Sequence, residues 1–474
     1  MAGMSYEKQA NYEERWLFPP SLEDLIGVEH PARMIREFVD ALNLEGLGFK
    51  TRTAEEGRPN YSASLLLKAW LYGYFWKIRS SRGLERACME QVGMLWLTGM
   101  QSPDHTTLWR FWRDNREGIG KLFGQLVRIA ASENLVGMVL HALDGTKIVS
   151  RASESEGWHR SSLEKKLKQL DEAIHDVMAQ TEQADNQATG ESRLPEQLQD
   201  RQKLREMIQD QLKRMNEEDR DHLNPVDPEA RVMKCRSRMK FAYNAQAVVD
   251  EQSGLIVAAD VVTDESDNYQ LVPMLEQVEE NLGKVAAETV ADTGYVAGSG
   301  LAEAEQKHYP VLVNMPSDGK PDPPYDASHF DYDAEKDQCV CPRGEILKYE
   351  SNKQRDKARP YAVRVYRCQS YATCPVRWQC SKNKKGRTIE IHPHRDVLMR
   401  QRLKQQEESK REALKKRGKT VEPIFGWCKE GMDFRRWTVC GREKVKTQWL
   451  LLCSAMNLRR LYKNWVARKL AFSH

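Results

Sequence analysis

The chain has 474 residues, 40% hydrophobic and 30% charged, with 73 Lys and Arg against 69 Asp and Glu for a net charge of +4; that length suggests about three domains. No run of about 18 apolar residues occurs, which excludes an ordinary membrane-spanning helix, and the N-terminus lacks the apolar core of a secretory signal, so a cytoplasmic location is expected. Ten cysteines are few for a disulfide-stapled fold, and the small net charge hides an asymmetry, because Cys380 to His474 carries 25 Lys and Arg against 9 Asp and Glu.

A basic block of that size suits a polyanionic partner. With no lipidation motif, nucleic acid is favoured over an anionic membrane. Taken in chain order, Tyr61 to Leu135 reads as short helices. Ser62 is placed to cap the first, Ser80 to Gly83 marks a turn before Leu84 to Val92, and Ser102 to Thr107 is a cap-rich start for Leu108 to Asn115. Short helices in succession, the last carrying Arg110 and Arg113, fit a helix-turn-helix DNA-binding module and equally an ordinary bundle with a basic surface.

Val136 to Gly145 begins as an apolar run and ends in Asp-Gly, which predicts a buried strand with Asp144 at or near its end. Leu163, Leu167, Leu170, Ile174 and Val177 form one stripe and Leu204, Ile208, Leu212 and Met215 another, an antiparallel helical hairpin inserted after Ser150. Phe241 to Val249 and Leu255 to Val262 should pair as a β-hairpin. A helix over Asn268 to Asn281 comes next, then a strand from Thr289 to Asp292, a helix from Leu301 to His308 and a strand from Pro310 to Met315. With the insertion skipped, the order β-β-β-α-β-α-β matches the front of a ribonuclease H-like mixed sheet flanked by helices, an α/β fold. Asp326 to Arg395 is polar, cysteine-bearing and hard to classify. Arg400 to Arg417 reads as an exposed basic helix broken at Gly418, after which Thr420 to Trp427 and Val445 to Leu461 resume a helical pattern. The expected domains are therefore residues 1–135 (helical), 136–150 with 231–316 (sheet core), 151–230 (helical hairpin), 317–395 (cysteine-bearing insertion) and 396–474 (basic helix and closing helices).

An aspartate at the end of an apolar strand is costly unless exposed, paired or coordinating a cation. Asp144 and Asp292 both occupy such positions, on strands expected to be neighbours. A third carboxylate from a later helix would complete a site for two divalent ions. Glu422 is the leading candidate, with Lys429 two turns on, and Glu430 and Glu443 compete. Glu422 with Pro423 also fits a plain helix start, and each Asp-Gly-like turn has an ordinary structural reading. Cys341, Cys368, Cys374 and Cys380, with Cys339 as an alternate, can supply a closed zinc site, although their spacing lacks tight knuckles and reduced thiols explain them as well; His392 and His394 read as solvated surface groups. Trp427, Phe434, Arg435, Arg436, Trp437 and Arg442 interleave aromatics and cations that can stack on bases or grip phosphates; the aromatics read equally as core.

Four passages together resemble the DDE transposases of bacterial insertion sequences. They are Leu143 to Lys147, Ala291 to Tyr295, Val421 to Gly426 with Lys429 seven residues after Glu422, and Phe434 to Trp437 continuing through Gly441 to Val445 and Asn457 to Leu461. Asp227 to Ala230 and Lys240 to Gln246 belong to the same resemblance, which spans about Asn11 to Tyr462. It implies a ribonuclease H-like core and catalytic Asp144, Asp292 and Glu422 binding two Mg²⁺ ions (with Mn²⁺ as a substitute) that act on DNA; Arg110 and Arg113 of the short helices, the interleaved Arg435, Arg436 and Arg442, and Lys429 are the expected DNA contacts, and because two ends must be joined a homodimer is expected in the assembled complex. The sequence departs from the family pattern at Lys415 and Gly418, with Arg417 displaced by one from the usual arginine position, and at Cys440 and Gln448. A non-catalytic DNA-binding derivative and a structure-specific nuclease on the same fold are the alternatives.

Overall fold

A computed structural model describes residues 21–50, 60–185, 196–316, 324–354 and 362–471. The chain divides into two compact units, Met1–Phe123 with Leu450–His474, and Gly124–Trp449. Among the described residues no helix is long and apolar enough to cross a membrane.

In the first unit the sequence writes its own helix starts. Helices α1 (Pro31–Asp40), α2 (Ala63–Phe75), α3 (Ser81–Glu90), α4 (Val92–Thr98), α5 (His105–Asp114) and the start of α6 (Arg116–Ser132) succeed one another. Ser62 Oγ accepts from the Leu65 N–H at 3.2 Å, Ser80 Oγ from Gly83 at 3.1 Å and Asp104 Oδ1 from Thr107 at 2.9 Å, each satisfying an N–H that the helix leaves unpaired. Because Ser80 is the cap, α3 begins at Ser81, earlier than the Leu84 expected. Leu67, Trp70, Tyr74 and Trp112 fill the core, and Trp70 Nε1 donates to the Leu108 carbonyl at 3.1 Å.

The second unit opens with β1 (Leu140–Val149). A short pair, β2 (Trp158–His159) and β3 (His222–Leu223), closes the base of a hairpin made by α7 (Arg160–Asp185) and α8 (Glu196–Glu217). Leu163, Ile208, Met215 and Leu223 form its buried seam, with Leu167, Leu170, Leu204 and Leu212 packed alongside. The pattern break expected at residues 188–195 lies outside the described residues. Next come β4 (Arg231–Cys235), β5 (Arg238–Asp250), β6 (Ile256–Val262), α9 (Leu271–Leu282), β7 (Glu288–Ala291), α10 (Gly298–Gln306) and β8 (Val311–Val313). The long β5 pairs antiparallel with β1 on one edge and with β4 and β6 on the other; β7 and β8 extend the sheet in parallel beyond β1. The result is a mixed α/β sheet.

Asp144 does not end its strand. Pairing with β5 carries β1 five residues further, to Val149, whereas the parallel pairing with β7 stops at Leu143. The unclassified region is a second sheet, all antiparallel, of β9 (Asp331–Asp333), β10 (Gln338–Val340), β11 (Ile346–Lys353), β12 (Val363–Cys368) and β13 (Thr388–Ile391), with a one-turn helix α11 (Arg377–Cys380) between the last two. Then come α12 (Arg395–Lys404), α13 (Glu408–Gly426) and α14 (Arg442–Ala471). The expected break at Gly418 does not occur. Glycine weakens a helix without ending it, so α13 runs through both Gly418 and Pro423, and the interruption falls at residues 405–407 instead. Glu422 is therefore near the C-terminal end of a long helix, where the macrodipole disfavours an acid, and the helix-start reading of Glu422 and Pro423 fails.

Candidate active site

Leu143 and Ala291 are register partners on parallel β1 and β7, so the next residue on each, Asp144 and Asp292, puts two carboxylates at one level of the sheet. Each is oriented by its own backbone. Asp144 Oδ1 accepts from the Gly145 N–H and Asp292 Oδ1 from Gly294, both at 2.8 Å. Helix α13 packs across β1 and β7 and brings Arg417, whose Nη1 lies 2.7 Å from Asp144 Oδ2. Burial raises the Asp144 carboxyl, the Arg417 charge opposes that and the nearby Asp292 adds to it, leaving the group at about 6.

Glu422 stands one turn beyond Arg417, its side chain 68% exposed and its Oε1 3.9 Å from Arg417 Nη2. The guanidinium thus lies between the Asp144 and Glu422 carboxylates. Among the described residues no three His, Cys, Asp or Glu side chains are gathered closely enough to hold a metal ion. Two of the three expected acids are neighbours, and the third is joined to them through an arginine.

A further acid that sequence reasoning did not single out is Asp267, in the loop before α9. Asn244 Nδ2 donates to its Oδ1 at 2.6 Å, Gln246 Nε2 at 2.7 Å and Lys147 Nζ at 3.1 Å. A Cβ at Gly145 would fall 2.7 Å from Asp267 Oδ1, and one at Gly294 2.9 Å from Asp292 Oδ1 and 3.3 Å from Asp267 Oδ2. Both glycines are needed for this close approach. The available signal was Asn244 and Gln246, two amides at period 2 within an apolar strand.

The other expected residues are dispersed. Arg110 is exposed, and Arg113 pairs with Asp114 at 2.8 Å. A π turn, Trp427–Gly431, ends α13 and rotates the residues after it out of the α-helical phase. Lys429 consequently lies among Cys428, Cys235, Arg236 and Arg435, and burial lowers its ammonium. Glu430 pairs with Arg435 and Arg236, and Glu443 sits in the first turn of α14. Arg436 is exposed, while Arg442 Nε donates to the Val261 carbonyl at 3.2 Å. Phe434 and Trp437 are buried, and Trp437 Nε1 donates to the Ile148 carbonyl at 3.1 Å; these two are core residues and do not present faces to bases. Cys341, Cys368, Cys374 and Cys380 are half-buried, whereas Cys339 is fully buried in the small core of the second sheet.

Two family models match the chain: a transposase domain (DUF772) over residues 20–114 and a transposase DDE domain over residues 340–462. Both matches support a DDE transposase of insertion-sequence type. No curated protein matches it. The second match takes in Arg417 and Glu422 of the transposase, while Asp144 and Asp292 lie outside both. The DDE transposase family has DNA as its substrate and generally uses divalent metal ions.

Proposed function

We propose that this transposase cuts and rejoins DNA at the ends of an insertion sequence, with Asp144, Asp292 and Glu422 as the carboxylates that hold Mg²⁺, or Mn²⁺ in its place. The observation that carries this reading is the placement of Asp144 and Asp292 just past the paired residues of adjacent parallel strands, with a cationic side chain already drawn to Asp144. The donor set is all-oxygen and acidic, which suits Mg²⁺. The strand order β6-β5-β1-β7-β8 supports a ribonuclease H-like core.

Bound divalent ions supply charge stabilisation on the attacking and leaving oxygens of an in-line displacement at phosphorus. The chain's own residues fix that arrangement. The Gly145 and Gly294 N–H groups hold the aspartates in one orientation, and α13 presents Glu422 at the open side.

The helical N-terminal region, with Arg110 and Arg113, recognises the element ends in this reading, and the basic C-terminal region with Lys429, Arg435, Arg436 and Arg442 holds the backbone; two ends joined at once require a homodimer in the assembled complex. The four half-buried thiols Cys341, Cys368, Cys374 and Cys380 are the proposed donors of a structural Zn²⁺.

Incubation with Mg²⁺ and DNA bearing the native element ends tests the reaction. Wild type is expected to nick and then transfer strands, and Asp144→Asn to lose both while still binding ends. Strand transfer retained by Asp144→Asn overturns the assignment; cutting without joining identifies a nuclease, and binding without cutting a non-catalytic derivative.

A further inference from the structure

Arg417 is poorly accounted for as an ordinary structural ion pair. It reaches Asp144 Oδ2 with one nitrogen at 2.7 Å and Glu422 Oε1 with another at 3.9 Å. One guanidinium is thus shared between two acids on different elements, with no fork-to-fork seat on either. Three carboxylates brought near one another repel, and without a cation between them Asp144 would stand half-buried beside Asp292 uncompensated. The neighbouring acid, Asp267, needs no such help, because Lys147, Asn244 and Gln246 already satisfy it. Arg417 and Asp144 are each 17% exposed, whereas the Glu422 end of the bridge is open to solvent. That end leaves the guanidinium a way out to solvent.

We propose that Arg417 is the internal counter-cation of the metal-free site, and that a divalent ion binds by displacing its guanidinium from Asp144 and Glu422. The inference rests on the carboxylate reading above. Metal affinity is then the difference between two cations competing for the same oxygens, and Arg417 sets its level. It is a positioning residue that keeps the acids apart and oriented until metal arrives, which also explains why the three carboxylates are not closed on one another here.

The test is calorimetric titration of the full-length chain with Mn²⁺, without DNA, so that no catalytic step enters the readout. Arg417→Gln is expected to bind Mn²⁺ about tenfold more tightly than wild type, the scale of one charge-assisted hydrogen bond removed from the competition. Arg417→Met, which keeps the aliphatic stem, should do the same and serves if the glutamine variant fails to fold. Lys147→Gln removes the charge paired with Asp267, outside the bridge between Asp144 and Glu422, and should change the affinity by less than about threefold. Unchanged or weaker binding in the Arg417 variants overturns the proposal, and so does equal tightening by Lys147→Gln, which would mean general electrostatics and no displacement. Asp144→Asn separates the two readings. If it binds Mn²⁺ as well as wild type, the carboxylate site itself fails; if it loses binding while the Arg417 variants show no gain, only the displacement fails.

Discussion

His141, three residues before Asp144 on β1, is fully buried opposite Asp250 of β5. Its Nε2 is 3.7 Å from Asp250 Oδ1, and neither ring nitrogen has a hydrogen-bond partner among the described residues. Burial opposes the charged imidazole more than Asp250 attracts it, so the ring is held below its ordinary value. A depressed histidine leaves stability intact above about 6.5 and removes it as pH falls, because the unfolded chain takes up a proton that the fold refuses. Between pH 7 and pH 5 this amounts to up to about 2 kcal/mol. Chemical denaturation of wild type and His141→Val at both pH values checks it: the variant should lose less on acidification. An equal loss would mean that His141 is charged in the fold. At this scale the pairing of Asp144 with Asp292 was legible, since both stand out as carboxylates closing apolar runs, whereas Glu422 is joined to them through Arg417. Arg417 was not, because its meaning depends on the helical phase that brings it over Asp144.

The elements were read well wherever caps and apolar periodicity agreed, as in α2, α5 and the β5–β6 hairpin, and poorly wherever one residue type was taken as a stop. Gly418 suggested two helices, but the packing of α13 on the sheet outweighs the roughly 1 kcal/mol glycine cost. The cysteine-bearing sheet was illegible for a different reason: its strands are short and polar, and its buried cluster among the described residues is Phe330, Cys339, Leu347, Tyr366, Ile389 and Ile391. A core that small needs another source of stability. Cys341 Sγ accepts backbone N–H groups from Arg343 at 3.4 Å and Glu345 at 3.3 Å, which fixes the sulfur's position in its turn. Burial, with neighbouring thiols adding, pushes Cys368 and Cys380 up, a penalty that a bound cation would reverse. Cys339, raised to about 11 by burial, belongs to the core and drops out as an alternate donor. Among the described residues no three thiols are gathered to metal distance, so zinc binding entails a rearrangement of the segments that carry them. Elemental analysis of the purified chain is expected to find about one zinc per chain, lost in Cys374→Ser but kept in Cys339→Ala; zinc absent from wild type, or retained by Cys374→Ser, defeats the reading.

Across the whole molecule, a net charge of +4 conceals the excess of cations after Cys380, and the fold shows how part of that excess is used. Lys410 and Lys416 of α13 are paired with Glu288 and Glu251, internal contacts that leave less charge for a partner. Lys415 and Lys419 are exposed, spaced four apart, and lead along the same helix face to exposed Glu422. A stripe of cations ending at a proposed catalytic acid is suited to guide a phosphate backbone into the site. Each phosphate so neutralised releases counterions and contributes a slope of about −0.9 to the dependence of log affinity on log salt for duplex DNA. Replacing both lysines by Gln should therefore lower end-DNA affinity and make that slope shallower by nearly 2, while leaving Mn²⁺ affinity in the absence of DNA within about threefold of wild type. Filter-binding or anisotropy titrations between about 50 and 200 mM salt provide the measurement. An unchanged slope would place the DNA path elsewhere on the chain and would detach α13's basic face from the carboxylates it leads to.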